Sequence, residues 1–556
     1  MAETLRHTLN AAAHCNGQRA TSPAAIGLAS VPVALVFAPI LPGLYWALSS
    51  AWDVSVWLRL WSEPQWPQAL ASTLTSSLLS TLLACTLAAT LATLAYPGAR
   101  WRKLQAALAP LLSMPHAAFA VGLFFLFAPS GWLVRWLAWP LGWTDPPAWV
   151  TVQDPYGLSL ALALAIKESW FLLWALAAVL GEAAVAQQMR VARSLGYNPV
   201  QVWRQVLWPV LLPRLSWPVA AVFAYGLSVV DMALILGPST PPTLAVLAWR
   251  WLSDPDPGQQ ALGSAASVLL MLMLLAAGMV ARGVWQIVAV HPIYPTYPTG
   301  RRQPLPRWHR VRVHPWVLGT GYAVLAVLLL WSLADSWFFP ALWPDRLVWQ
   351  TWTQADWTPF LTTVWLAGAV SLLGLPSALL WLEWGPQHLN TMLYLPLILP
   401  ALPLVAGQYA VLLHLGLDGN AAALIWSHLL WVLPYMVLML AGPYHQFDAR
   451  LTTTAQALGR SRLGACLTVK WPLLLRPILA ALAVGIAVSV AQYLPTLFAG
   501  GGRFATVTTE AVALSAGGNR RTLALMALLQ ITLPLATFAL AAGVPLWASR
   551  QRLGLR

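Results

Sequence analysis

Lys167 and Glu168 stand side by side in LSLALALAIKESWFLLWALAAVL, a stretch from Leu158 to Leu180 that carries no other charge. Asp231 is similarly isolated in LSVVDMALILGP. An ionised side chain in hydrocarbon costs about 2.5–3.5 kcal/mol on insertion scales, so such residues need partners and mark either helix pairing or a polar path. As sequence neighbours, Lys167 and Glu168 point to different helix faces and do not simply neutralise each other. Three outlets are open to these residues: pairing between helices, which for Asp231 includes Lys167, a packing hydrogen bond, or contact with a transported solute. Gln492 and Tyr493 are the comparable polar candidates late in the chain, where the counterpart of Asp231 is Leu494.

Other chemistry finds no constellation. The only lysines are Lys103, Lys167 and Lys470, and none follows the glycine pattern of a GxxxxGK[ST] phosphate loop. Neither HExxH nor CxxC occurs, Cys15, Cys85 and Cys466 are far apart with no disulfide expected, and His116, His414 and His428 are scattered. No catalytic residue and no metal site is assigned.

These isolated charges need helices through a membrane to hold them. The chain is 59% hydrophobic and 9% charged, with a mean hydropathy of +0.66, whereas soluble domains carry roughly a quarter charged residues. A membrane helix takes about 20 apolar residues, because backbone polar groups must be satisfied within the segment. The pattern predicts an all-α, polytopic protein with about twelve spans in two tandem sets of six. The first set is placed at 26–50, 69–95, 106–128, 158–180, 217–237 and 262–284. The second is placed at 315–334, 360–382, 391–413, 421–442, 478–498 and 522–547. Pro39, Pro115, Pro400, Pro403 and Pro434 inside these stretches predict kinks.

Charge orients the spans. With the N-terminus inside, 23 of the 31 Lys and Arg fall on the inner side, while acids such as Asp53, Asp145, Asp154, Asp254 and Asp418 fall outside. The net charge of +14 therefore reports membrane orientation and lipid contact, with no nucleic-acid partner expected. Both termini are expected in the cytoplasm, the first span serving as an uncleaved start helix. The domain reading is a tail at 1–25, a first transmembrane half at 26–290, a Pro- and Arg-rich linker at 291–315, a second half at 316–549 and a tail at 550–556. Many of the 34 Trp, including Trp132, Trp136, Trp139, Trp143 and Trp149, suit a membrane-interface belt.

One basic loop is written twice. ARSLGYNPVQVWRQVLWPVLLP, from Ala192 to Pro213, recurs as AQALGRSRLGACLTVKWPLLLR, from Ala455 to Arg476. Leu-Gly, eleven residues and Trp-Pro stay in register at a shift of 263, and Pro115 with Gly122 matches Pro400 with Gly407 at a shift of 285. The insertion accounting for the difference lies in the outer loop 129–157. Duplicated sixfold sets in parallel orientation predict halves related by an axis along the membrane normal. Val191, Ala192 and Leu195 form an apolar stripe on a short helix, Gly196 suits a left-handed end, and Asn198 and Pro199 suit the start of the next helix. In the second copy Ala455, Leu458, Gly459, Arg460 and Ser461 take the same places.

This loop resembles the EAA signature of permease subunits of binding-protein-dependent ABC importers, among them the fused thiamine and ferric-iron type permeases. The resemblance spans both halves. It departs at the family glutamate, whose place is taken by Arg190 and Thr453, while Asp448 matches a frequently acidic position and the EAA of Glu182 to Ala184 lies out of register. What the resemblance implies is docking of two copies of a cytoplasmic ABC ATPase at the loops, ATP and Mg being bound by that partner and no cofactor by this chain. It also implies a periplasmic solute-binding protein, residence in the bacterial inner membrane, and a permease that is not itself an enzyme. The alternative is an ion-gradient-driven secondary transporter with duplicated halves, which has no need of matched docking loops.

Overall fold

The computed structural model describes residues 23–290 and 314–549; the expected tails, apart from 23–25, and the expected linker, apart from 314 and 315, lie outside the described residues. Among the described residues the protein is α-helical, with a single antiparallel bridge between Ala334 and Leu347. Ten helices are long and apolar enough to cross a membrane. They are Pro23–Trp52, Trp66–Ala95, His116–Leu141, Leu158–Leu180, Pro199–Ser228, Pro257–Gln286, Trp316–Leu333, Thr358–Trp384, Ala421–His445 and Arg520–Pro545. Two bent pairs, Asn390–Leu397 with Ala401–Leu415 and Arg462–Leu473 with Leu475–Ala491, turn by 105° and 82° and raise the count to twelve if each is one span.

Local chemistry explains the sharp boundaries. Leu158–Leu180 begins after Gly157, whose φ of 72° turns the chain. Asp154 then caps the free amides, its carboxylate accepting from the Leu158 N–H at 2.8 Å and the Ser159 N–H at 2.7 Å. These four-residue signals make the observed helix coincide with the one expected from hydropathy.

Four expected spans are instead interrupted, two of them at Pro115 and Pro400, where kinks are expected, and two at Val229 and Gln492, where a single residue leaves the average hydropathy of the stretch unchanged. The stretch 106–128 divides into Ala99–Leu112 and His116–Phe127, with Pro115 in extended conformation at φ −64°, ψ 154°. Pro400 does the same at φ −52°, ψ 136°, so the stretch 391–413 becomes short turns followed by Ala401–Leu415. Proline has no N–H to extend the preceding helix and fits the start of a new one. The stretch 217–237 breaks at Val229, ψ 127°, and 478–498 at the equivalent Gln492, ψ 119°.

The halves interlock. Gly43 of the first span packs so closely on Gly407 that a Cβ there would collide with the Gly407 carbonyl. Gly122, the equivalent of Gly407, receives Val324 of Trp316–Leu333 in the same way. The first helix of each half thus lies against the other half, and Val33 joins the core built from the second set of spans. Two hydrogen bonds repeat the symmetry: the Leu244 N–H donates to Thr73 Oγ1 at 2.7 Å and the Val507 N–H to Thr363 Oγ1 at 3.0 Å.

The stretch 129–157, expected as an outer loop, also differs from expectation. Trp132–Leu141 is a helix, and Arg135 is buried, donating to the Phe338, Ala341 and Trp337 carbonyls at 2.8, 2.7 and 3.2 Å. Trp132 packs on Trp343 at 5.5 Å, leaving the interface belt to exposed rings such as Trp136, Trp139 and Trp149. The insertion joins the halves on the side opposite the duplicated loops.

Candidate functional site

The two copies of the basic loop fold alike. In the first, Ala183–Ser194 ends as Gly196 takes φ 88°, and the Tyr197 N–H returns to the Ala192 carbonyl at 3.2 Å. That six-to-one bond satisfies a carbonyl the helix leaves open. Asn198 caps the next helix reciprocally, accepting from the Gln201 N–H while its own N–H donates to Gln201 Oε1, both at 2.8 Å, with Pro199 in the first turn. In the second copy, Ala449–Ala457 ends at Gly459, φ 89°, and the Arg460 N–H returns to the Ala455 carbonyl at 3.1 Å. Ser461 Oγ then accepts from the Gly464 N–H at 3.0 Å.

Trp-Pro has a backbone role in both copies. Before Pro209 and Pro472 the chain widens into a π-type turn, the Trp208 N–H reaching the Trp203 carbonyl and the Trp471 N–H reaching the Cys466 carbonyl. A proline removes one regular helical bond, and a widened turn accommodates the loss.

Exposure divides the expected stripe. Ala192 is buried together with Val185 and Met189 on the inner face. Val191 and Leu195 are exposed, Leu195 by 65%, and with Ala184, Gln187, Gln188, Tyr197 and Val206 they line a hollow of about 470 Å³. Ala192, though buried, lines the same hollow. In the second loop Leu458 is 81% exposed and Ala455 half-buried. Arg190 and Arg460 are exposed, and the exposed Asp448 caps its helix by accepting from the Arg450 N–H at 2.9 Å. Glu182, out of register with the family glutamate, pairs with Arg214 at 2.6 Å.

The loops differ in how they are fixed. Tyr96 holds the first, its hydroxyl donating to the Leu180 carbonyl at 3.1 Å and its ring lying 6.0 Å from Trp203. Burial pushes the Tyr96 phenol up, the Arg193 guanidinium pulling the other way. The second loop is held by Glu383, which meets Lys470 at 2.6 Å and Arg462 at 3.4 Å. Glu383 is absent from the residues singled out by sequence. Its signal was a charge at a span end matched by lysine and arginine in only one copy of the loop.

The polar residues within the spans form another group. Lys167 Nζ donates to the Leu111 carbonyl at 3.1 Å, and Glu168 contacts His116 Nε2 at 2.8 Å. As expected, the two neighbours turn to different partners. The His116 ring lies 4.5 Å from Tyr225, and Tyr225 faces Asp231. Asp231 opens the short helix after the Val229 break, and Tyr493, at the equivalent break in the other half, lies within electrostatic reach of it. Gln492 caps the preceding helix, its carbonyl accepting from Thr496 Oγ1 at 2.8 Å. His116, Tyr225 and Tyr435, the last within electrostatic reach of Glu168 and Tyr225, were not grouped by sequence, because they lie on three separate helices.

No family model matches the chain. It is 42% identical over 533 residues to the inner membrane ABC transporter permease protein YnjC of Escherichia coli (strain K12), covering 94% of this chain and 97% of that protein. It is also 27% identical over 405 residues to the thiamine transport system permease protein ThiP of the same organism, covering 69% and 70% of the two chains. The ThiP of Salmonella typhimurium is 25% identical over 417 residues, 71% and 73% of the two chains. With a relative this similar matched almost end to end, and with ten to twelve candidate spans among the described residues around two equivalent glycine-turn loops, the chain belongs to the inner membrane ABC transporter permeases.

Proposed function

We propose that this chain is the complete membrane pathway of an ATP-driven importer, taking a small solute from a periplasmic binding protein and coupling its passage to a separate ATPase. The observation that carries the reading is the repetition of one folded surface, the helix, left-handed glycine and capped helix around Gly196 and Gly459. Each copy receives one ATPase. Val191, Leu195 and the hollow beside them contact the first, and Leu458 with Arg460 contacts the second. Arg190, Asn198, Pro199, Asp448, Ala455 and Ser461 shape or border these surfaces. The positive-inside distribution supports placing both loops and both termini in the cytoplasm. Membership of an ABC permease family supports this reading over the ion-gradient alternative.

Nucleotide-driven closure of the partner then biases two arrangements of the halves, which the helix breaks and the interlocked first spans allow. The pathway follows the breaks at Pro115, Val229, Pro400 and Gln492. Glu168 and Asp231, with Tyr225, Tyr435 and Tyr493, border it, while Lys167 is a packing residue held by the Leu111 carbonyl. Carboxylates among aromatic rings suit a small organic cation, a class that includes the thiamine for which two relatives are named.

Native mass measurement of the solubilised complex, co-expressed with its ATPase, tests the assembly. One permease with two ATPase chains is expected. Solute uptake into proteoliposomes that proceeds without ATP, or a permease that retains no ATPase, would overturn the reading.

A further inference from the structure

The second loop does not continue straight into a span. Arg462–Leu473 meets Leu475–Ala491 at 82°, with Leu474 at φ −92°, ψ 15°. In the first half the equivalent segment, Pro199–Ser228, counts as one span without such a bend. A straight helix carries a displacement from one end to the other, whereas an elbow absorbs it. A push on the second loop must therefore reach the membrane helices through side contacts.

One carboxylate gathers those contacts. Glu383 stands next to the end of Thr358–Trp384 and accepts from Lys470 Nζ at 2.6 Å, from Arg462 Nε and Nη2 at 3.4 Å, and from the Tyr444 hydroxyl at 2.8 Å. Arg462 Nη2 also donates to the Glu383 carbonyl at 3.2 Å. The Lys470 ammonium lies 3.7 Å from the centre of the Tyr444 ring, and Trp471 Nε1 donates to the Tyr444 hydroxyl at 3.2 Å. The loop, Thr358–Trp384 and Ala421–His445 thus meet at a single side chain. With Glu383 and Lys470 side chains only 10% and 13% exposed, separating them leaves a poorly hydrated charge, which is costly.

The first half has no such tie. The repeated threonine bond sets Thr93 opposite Glu383, and the loop register sets Leu207, Pro199 and Gly181 opposite Lys470, Arg462 and Tyr444. A buried ionic anchor is present in the half that has the elbow, whereas the loop of the half without it carries only the exposed Glu182–Arg214 pair among the described residues.

We propose that Glu383 is a positioning residue that carries movement of the second loop into Thr358–Trp384 and Ala421–His445, in place of the straight lever of the first half. The proposal rests on the permease reading above. It predicts that loss of the tie uncouples one half from the ATPase without releasing the ATPase.

The test uses the full complex in nanodiscs and compares hydrogen exchange without nucleotide and with ATP plus vanadate. The readout is the nucleotide-driven difference in segments 416–420 and 501–505, across the protein from the loops. Glu383→Gln with Lys470→Gln, which removes both charges of the buried 2.6 Å pair and leaves only the more exposed Arg462 without a carboxylate, is expected to cut that difference at least threefold. ATPase retention and melting temperature stay as in the unaltered complex, and the charge swap Glu383→Lys with Lys470→Glu, made with Arg462→Gln so that no second cation faces the new lysine, recovers more than half of the difference. An undiminished difference in the double-glutamine variant, or loss of its ATPase, overturns the proposal. An unaltered complex that binds no ATPase overturns the permease reading itself, and the role of Glu383 with it.

Discussion

Gly196 and Gly459 hold the same left-handed backbone, φ 88° and 89°, at positions 263 residues apart. Each ends one surface helix and lets the next begin within three residues, at Asn198 and at Ser461. A side chain at either position forces Cβ against the following carbonyl, at a cost of about 1–2 kcal/mol. Space is not the obstacle at Gly459, where nothing lies within 4 Å of an added Cβ. Conformation alone makes the glycine necessary.

Gly196→Val and Gly459→Val are therefore expected to distort one docking surface each and to leave the membrane core intact. Pull-down from solubilised membranes should show each single variant keeping about one ATPase and the double variant none, all three at unchanged permease level. Full retention by the double variant would separate these turns from ATPase binding.

The seam between the first span and the second half depends on Gly43. A Cβ at this position meets Gly407 and Val411, so Gly43→Val should destabilise the protein by about 1–3 kcal/mol, the usual cost of overpacking. Gly27→Val is the control, since nothing lies within 4 Å there. Thermal unfolding in detergent should show a lower melting temperature for the Gly43 variant only.

Thr73 and Thr363 each supply the acceptor for a buried backbone N–H. Replacing either by valine keeps the shape and strands that donor, at a cost of about 1–3 kcal/mol. Exchange of the Leu244 amide should rise in Thr73→Val, and exchange of the Val507 amide in Thr363→Val. If each substitution loosens only its own half, the two bonds act independently.

Asp154 gives a pH-dependent contribution at the start of Leu158–Leu180. Burial pushes its carboxyl up, but hydrogen bonds from Ser159 and from the Ser159, Leu158 and Tyr156 amides outweigh that and hold it below the ordinary carboxylate range. A group lowered in the folded state stabilises fully above its unfolded pKa, about 3.9 for Asp, and loses that contribution as the pH falls through the folded value. Asp154→Ala should thus melt lower than the unaltered protein at pH 7. The difference should shrink once the pH passes below about 4.

Sequence by itself determined the class, the duplicated loops and the glycine turns, because apolar length, charge sidedness and the need for φ > 0 are properties of short stretches. It placed Leu158–Leu180 at its observed bounds and assigned Gly196, Asn198, Gly459 and Ser461 to the ends of helices where they stand. It did not separate Ala192, which packs inward, from Leu195, which faces out, since both fit one stripe until a neighbouring element covers one of them. Only the tertiary structure decided that the first span lies on the opposite half, that Arg135 is buried against the 337–341 loop, and that Glu383 meets Lys470 across 87 residues. Those contacts join segments distant in the chain, and their energies depend on which surfaces are brought together and kept from water, which no local pattern records.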